Sequence, residues 1–328
     1  MEILAFVLAG GEGTRLRPLT ARHPKPALPF AGRRIIDFAL SNFVNSGIGA
    51  IYVLAQYKPR PIVEHVERVW SPMLRGAGRF AAVVLPDGGP DGAFLGTADA
   101  VYKNLGLVER HRPELVAVFA ADHVYRMDVS QMAAFHVASG AAVSVSALPV
   151  PLSIARSFGA ITTASDGRIE SFEEKPRHPP PMPTRPGHAY ASMGNYLFDP
   201  DTLVDLLTQA HLRGESDFGR HILPRAARTH RLFAYDFSGN RLPGLLDCEE
   251  ACYWRDVGTL EAYRAAQEDA LGPRPRFNVE NALWPIRGGG TYPAPAWRAA
   301  PLRGERPVLA NPHWRTVAPL GEEVAAPT

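Results

Sequence analysis

Ile3-Leu4-Ala5-Phe6-Val7-Leu8-Ala9 runs without a polar break and stops at Gly10-Gly11-Glu12-Gly13-Thr14-Arg15-Leu16, and the reading of the rest of the chain depends on this junction. An apolar run without alternation predicts a strand buried on both faces, as in a parallel sheet. Glycines at 10, 11 and 13 let backbone N–H groups turn toward an anion with no Cβ in the way, and Arg15 adds a permanently charged planar fork. Lys25, held between Pro24 and Pro26, adds a second cation on a stiffened segment. No Gly-Lys-Ser/Thr follows the glycines and the third glycine of the dinucleotide fingerprint is missing, so kinases and dehydrogenases lose their usual support.

Outward from this loop, strand-like and helix-like stretches alternate. Arg34–Val44 carries apolar residues at helical spacing up to Ser46-Gly47, and Ala50–Ala55 reads as a strand. Pro59 and Pro61 open a helix to about Trp70; Phe80–Leu85 reads as a third strand. A helix starts near Gly96, with Thr97 as its expected N-cap, and Leu115–Ala120 is a fully apolar strand that delivers Asp122 to its carboxyl end, the usual ligand position in an open α/β sheet. A helix over Val129–Ser139 and a strand over Ala142–Ala147 follow. Such alternation implies a mostly parallel sheet with right-handed crossovers, an α/β Rossmann-like fold. From Phe158 the pattern becomes antiparallel, with Asp166-Gly167 as a hairpin turn, a proline-crowded excursion from Pro176 to Gly187, and a strand resuming at Ala191–Phe198. Phe218–Arg225 reads as a helix, Arg231–Phe237 as a strand, and Tyr253–Thr259 leads into a helix over Leu260–Ala270.

Composition narrows the function. With 328 residues, 46% of them hydrophobic, and a net charge of +2, the chain can build a full core and does not ask for a polyanionic partner such as nucleic acid. Cys248 and Cys252 are too few for a disulfide framework and wrongly spaced for a redox motif or a zinc set, and no apolar run is long enough for a membrane helix. With no signal-peptide pattern before the first strand, a cytoplasmic protein is expected.

The ordered strings Gly-Gly-x-Gly-Thr-Arg-Leu, Pro-Leu-Thr and Lys-Pro-Ala resemble the signature of sugar-nucleotide pyrophosphorylases. Further segments bring the resemblance closest to the glucose-1-phosphate adenylyltransferases: Arg34–Asn42, Gly96–Val101, Ala121–Tyr125, Phe172–Pro176, Ser192–Gly194 and Tyr253–Thr259. It covers most of residues 3 to 287 and implies a nucleotidyltransferase domain over 1–287 that takes ATP and glucose 1-phosphate as substrates and Mg²⁺ as cofactor. By resemblance, Asp122 and Asp256 hold the metal and, with Arg15 and Lys25 at the triphosphate, form the catalytic set. Leu8, Gly10, Gly11, Gly13, Thr14, Gly96 and Thr97 would contact the nucleotide, and Gly159, Glu174, Lys175 and Ser192 the sugar phosphate. Taken alone, the same residues admit blander roles: Asp122 as a turn or cap residue, Asp256 as a salt-bridge partner of Arg255, Lys175 as a solvated charge, and His123 as structural.

Two departures from the family pattern stand out. The family continues past the segment matching Trp284–Arg287 into a β-helix with an aliphatic residue about every six positions. Residues 288–328 have no such repeat and read as an extended or partly disordered Pro/Gly/Ala-rich tail, with little response to effectors expected. The loop at 87–92 is short, and Ala93-Phe94-Leu95 stands where the family has Trp-Tyr-Arg. A thymidylyl- or uridylyltransferase and a non-catalytic paralogue therefore stay open as alternatives, as do a homo-oligomer and a partner subunit.

Overall fold

The computed structural model describes residues 1–76, 78–88 and 92–289. Most of the expected C-terminal tail, and positions 89–91 of the short loop, lie outside the described residues. Nine strands form one mixed sheet: β1 (Ile3–Leu8), β2 (Ala50–Leu54), β3 (Phe80–Val84), β4 (Leu115–Ala120), β5 (Val143–Pro151), β6 (Gly159–Thr163), β7 (Ile169–Glu174), β8 (His188–Phe198) and β9 (Leu232–Asp236). The order runs β7-β6-β8-β4-β1-β2-β3, with β5 joining β8 to β9. β1 pairs in parallel with β2 and β4, β2 with β3, and β5 with β9. β8 runs antiparallel to β4, β5 and β6. Leu4 to Val7 are buried on both faces of the sheet, as their unbroken hydrophobicity requires.

The helices follow the apolar periodicity. Ile36–Asn45 ends at Ser46 and Gly47 (φ +82°), Val129–Ser139 is capped by the Asp128 carboxylate accepting from Ser130 N, and Leu260–Asp269 is capped by Thr259 Oγ1 accepting from Ala262 N. The helix expected from Pro59 to Trp70 is interrupted: Arg60–His65 gives way to a π-helical turn at Val66–Trp70 before Ser71–Leu74. The wider turn brings His65 and Trp70, five residues apart, onto one buried acceptor, Asp37 Oδ1, at 2.5 and 2.7 Å. A partner on another helix cannot be seen in the periodicity of this one.

Two other expectations change. Thr97 is the first helical residue of Thr97–Tyr102, not its cap; the cap position is Gly96. The Thr97 hydroxyl instead crosses to the segment before the next helical turn, bonding Asp217 Oδ2 at 3.2 Å and accepting from Phe218 N at 3.0 Å. The strand expected over Ala142–Ala147 runs from Val143 to Pro151, because β8 pairs with it at both ends, on either side of a bulge opposite Ser146. The antiparallel hairpin of β6 and β7 does form around Asp166-Gly167, and it is an extension of the same sheet.

A small antiparallel ribbon, His123–Tyr125 with Trp254–Asp256, lies outside the main sheet. Its register sets Asp256 opposite His123, next to Asp122. No helix among the described residues is long and apolar enough to cross a membrane.

Candidate active site

After β3 the chain returns to the other side of β1, so the strand order reverses between β1 and β4. In open α/β sheets such a reversal leaves a crevice at the carboxyl ends of the strands. Here it opens into a cavity of about 330 Å³. The ends of the three central strands supply Leu8 to Gly11, Leu54 and Gln56, and Ala120 and Asp122; Gly13, Lys25, Phe94, Gly96, Thr97 and Asp217 complete much of the wall. Gly13 adopts φ +61°, and a methyl group there would stand 3.1 Å from Thr20 Cγ2 and 3.2 Å from Lys25 Cβ. Thr20 Oγ1 donates to Gly13 O at 2.8 Å and holds the turn closed. Gly96 packs so tightly that a methyl group would lie 2.4 Å from Ser216 O, the acceptor for Ala98 N at the start of the helix. This is a second reason for glycine there, besides facing the cavity.

Lys25 is 5% exposed, and its Nζ donates to Asp122 Oδ2 at 3.0 Å and to Asp256 Oδ1 at 2.9 Å. Burial disfavours charge on Lys25, but the two carboxylates outweigh it and raise its pKa. Burial likewise opposes ionisation of Asp122, yet the Lys25 ammonium and neighbouring His123 hold its carboxyl well below the usual carboxylate range. Both groups stay ionised. Arg255, adjacent to Asp256 in sequence, lies on the opposite side of the ribbon, where alternation along a strand sends it. It pairs there with Glu250 at 2.7 Å and Asp269 at 3.4 Å. Asp256 itself pairs with Lys25. Arg15 comes close to the same carboxylate: a methyl group on Gly258 would stand 2.9 Å from Asp256 Oδ2 and 3.2 Å from Arg15 Nη2.

Asp122, His123 and Asp256 each offer a ligand atom, and these lie within 4.8 Å of one another. Two carboxylates beside a glycine-lined cavity fit a hard divalent cation, which prefers oxygen donors. His123 is tied up differently: its Nε2 lies 3.4 Å from Asp122 Oδ1 and its ring packs on Trp254, with centroids 5.1 Å apart.

The sugar-phosphate candidates do not line this cavity; they form a second group beside it. Glu174, at the end of β7, points its carboxylate at two glycines. A methyl group would stand 3.2 Å from Glu174 Oε2 on Gly159 and 2.7 Å from it on Gly219. Gly219 lies two residues after Asp217, which belongs to the cavity wall, so the two groups adjoin. Lys175 has a left-handed backbone, φ +52°, unusual for a residue with a side chain. Its side chain is 54% exposed and touches Glu174 Oε1 at 3.2 Å. Ser192 is buried at a bulge in β8, where its hydroxyl accepts from Gly194 N. Thr14 sits in the exposed turn after Gly13.

Two wall residues, Gln56 and Asp217, were absent from the sequence reading, in which Phe94 figures only as a departure from the family pattern. Gln56 Nε2 donates to Phe94 O at 3.2 Å and Oε1 accepts from Phe94 N at 2.5 Å, fastening the segment after the short loop to the end of β2. Gln56 could have been found from its place just past a buried strand. Asp217 carries no such signal, because its link to the cavity wall runs through Thr97 on another element.

Fold and site together define an enzyme that joins phosphate-bearing substrates, and the chain belongs to the nucleotidyl transferase family, whose sequence pattern matches residues 4–272. The relatives are more particular. Glucose-1-phosphate adenylyltransferase of Thermodesulfovibrio yellowstonii is 49% identical over 289 residues, 87% of this chain and 70% of the relative. The Thermus thermophilus enzyme of that name is 44% identical over 90% of this chain and 73% of its own length. The Rhodococcus erythropolis enzyme is 45% identical over 90% of this chain and 74% of its own length.

Proposed function

We propose that this chain transfers the adenylyl group of ATP to α-D-glucose 1-phosphate, forming ADP-glucose for α-glucan synthesis and releasing pyrophosphate, in the cytoplasm. The observation that carries the reading is Lys25 buried between Asp122 and Asp256 at a glycine-lined cavity, in a chain whose relatives bear that activity in their names.

A phosphate oxygen of glucose 1-phosphate attacks the α-phosphorus of ATP in line. The new P–O bond forms as the bond from the α-phosphorus to the bridging oxygen breaks, and pyrophosphate leaves with that electron pair. The nucleophile is already ionised at neutral pH, so no general base is needed, and positioning with charge stabilisation dominates. Backbone N–H groups of the Gly10–Gly13 turn hold the triphosphate; Arg15 and Lys25 neutralise charge building on the departing pyrophosphate. Asp122 and Asp256 hold Mg²⁺, which supplies charge neutralisation to the phosphates when bound. Lys175 receives the phosphate of the sugar, Glu174 accepts hydrogen bonds from sugar hydroxyls, and Ser192 and Gly159 shape the floor beneath them.

Base choice turns on the segment after the short loop, where Phe94 and exposed Leu95 stand in place of the family's Trp-Tyr-Arg. The deciding experiment measures pyrophosphate release from ATP, dTTP and UTP, each with glucose 1-phosphate and Mg²⁺. ATP should be used at least tenfold better than the others. Preference for dTTP or UTP moves the assignment to the thymidylyl- or uridylyltransferases, and no release from any of them overturns it.

A further inference from the structure

We propose that Lys103 and Asp99 are positioning residues for the nucleotide: together they latch the backbone of residues 93–95 and so hold Phe94 in the cavity wall. The inference rests on reading that cavity as the nucleotide site. Residues 93–95 follow the short loop and belong to no helix or strand. Ala93 and Leu95 are exposed, and of the three only Phe94 packs on the core. Among the described residues, no backbone–backbone hydrogen bond fixes any of them. A segment with so little burial and no ladder would sample many conformations, and ordering it would count against each nucleotide bound.

Side chains do the ordering instead. The Gln56 amide spans Phe94 N and O from one flank. From the other, Lys103 Nζ donates to Ala93 O at 2.6 Å and lies 3.3 Å from Asp99 Oδ2. That same carboxylate oxygen accepts from Leu95 N at 2.8 Å. Each of the three consecutive residues is thus gripped by a side chain from beyond the segment. Asp99 is buried, and a buried carboxylate needs a cation. Lys103 supplies it four residues further on, and by directing a second N–H at Ala93 O it turns an ordinary i,i+4 pair into a bridge from helix to loop. The helix is Thr97–Tyr102, whose first residue lines the cavity, so the bridge ties Phe94 to another part of the same wall. A wall ordered beforehand lowers the cost of binding the nucleotide without touching it.

The test compares the full chain with its Lys103→Met and Lys103→Arg variants. In Lys103→Met, amide hydrogen exchange at Phe94 and Leu95 should quicken at least about tenfold while exchange along β1 stays as in the parent. In steady-state assays with Mg²⁺, the same variant should raise the KM for ATP at least about fivefold, with the KM for glucose 1-phosphate and kcat within about twofold of the parent, since the lost ordering bears equally on ground and transition states. Lys103→Arg keeps a cationic donor of similar reach and should restore both readouts to within about twofold of the parent. The proposal is overturned if exchange at Phe94 and Leu95 is unchanged, if both KM values rise equally, if only the melting temperature falls, or if Lys103→Arg is as impaired as Lys103→Met. Should the parent turn over no triphosphate at all, the proposed reaction fails, and exchange at Phe94 and Leu95 by itself decides whether the latch exists.

Discussion

The two halves of the candidate site are built on opposite plans. On the nucleotide side, Lys25 is buried and already paired with two carboxylates that come from distant parts of the chain. On the sugar side, the Lys175 side chain stands half in solvent and, among the described residues, forms an ion pair with the neighbouring Glu174 alone. A charge taken out of water must have its partners in place when the chain folds. An exposed one can wait for its substrate. Charge on the nucleotide side should therefore bear on stability as well as turnover, whereas charge on the sugar side should bear on binding alone.

The largest effect should come from Lys25→Met, which leaves the two carboxylates facing each other without a cation. Urea denaturation in EDTA should show a loss of about 3 kcal/mol, as when one partner of a buried pair is removed, with part of it recovered on adding Mg²⁺. Unchanged stability in EDTA would erase the contrast between the two sides. Next, Asp122→Asn and Asp256→Asn should each lower turnover by roughly a hundredfold or more at saturating Mg²⁺ while leaving circular dichroism unchanged. Near-parent rates in both would remove the carboxylates from the chemistry. Lys175→Ala should raise the KM for glucose 1-phosphate about tenfold, equivalent to about 1.4 kcal/mol, with the KM for ATP within twofold of the parent and stability unaltered. An equal change for both substrates would contradict its placement on the sugar side. The smallest effect belongs to the link between the two groups: Thr97→Val removes the hydroxyl that meets Asp217 and Phe218 and should cost about 1 kcal/mol by thermal unfolding.

The same division explains what could be read from residues alone. The glycine turn, the buried strands and Asp122 at the end of β4 were legible because each depends on its own neighbours in sequence: an apolar run, a glycine cluster, a carboxylate just past a strand. The pairing of Asp256 with Lys25 depends on a ribbon joining residues 123–125 to 254–256; the family resemblance named both residues but not their contact. The misplaced cap at Thr97, the π-helical turn at Val66–Trp70 and the absence of Gln56 and Asp217 share one cause. In each, a side chain is committed to a partner on another element, and local periodicity carries no trace of that partner.

Strand β8 has a mechanical consequence for substrate capture. Its first half, at Tyr190 and Ala191, is laced to β5 on one edge and β6 on the other; its second half, at Tyr196–Phe198, is laced to β5 and β4. One continuous strand thus carries the ladders of both halves of the site, with the bulge at Gly194 close to His123 where they meet. Rotating one half against the other would tear hydrogen bonds on two edges at once, so jaw-like closure of rigid lobes is denied to this architecture. Amide exchange along β8 should be among the slowest in the molecule, released for both halves in a single opening event.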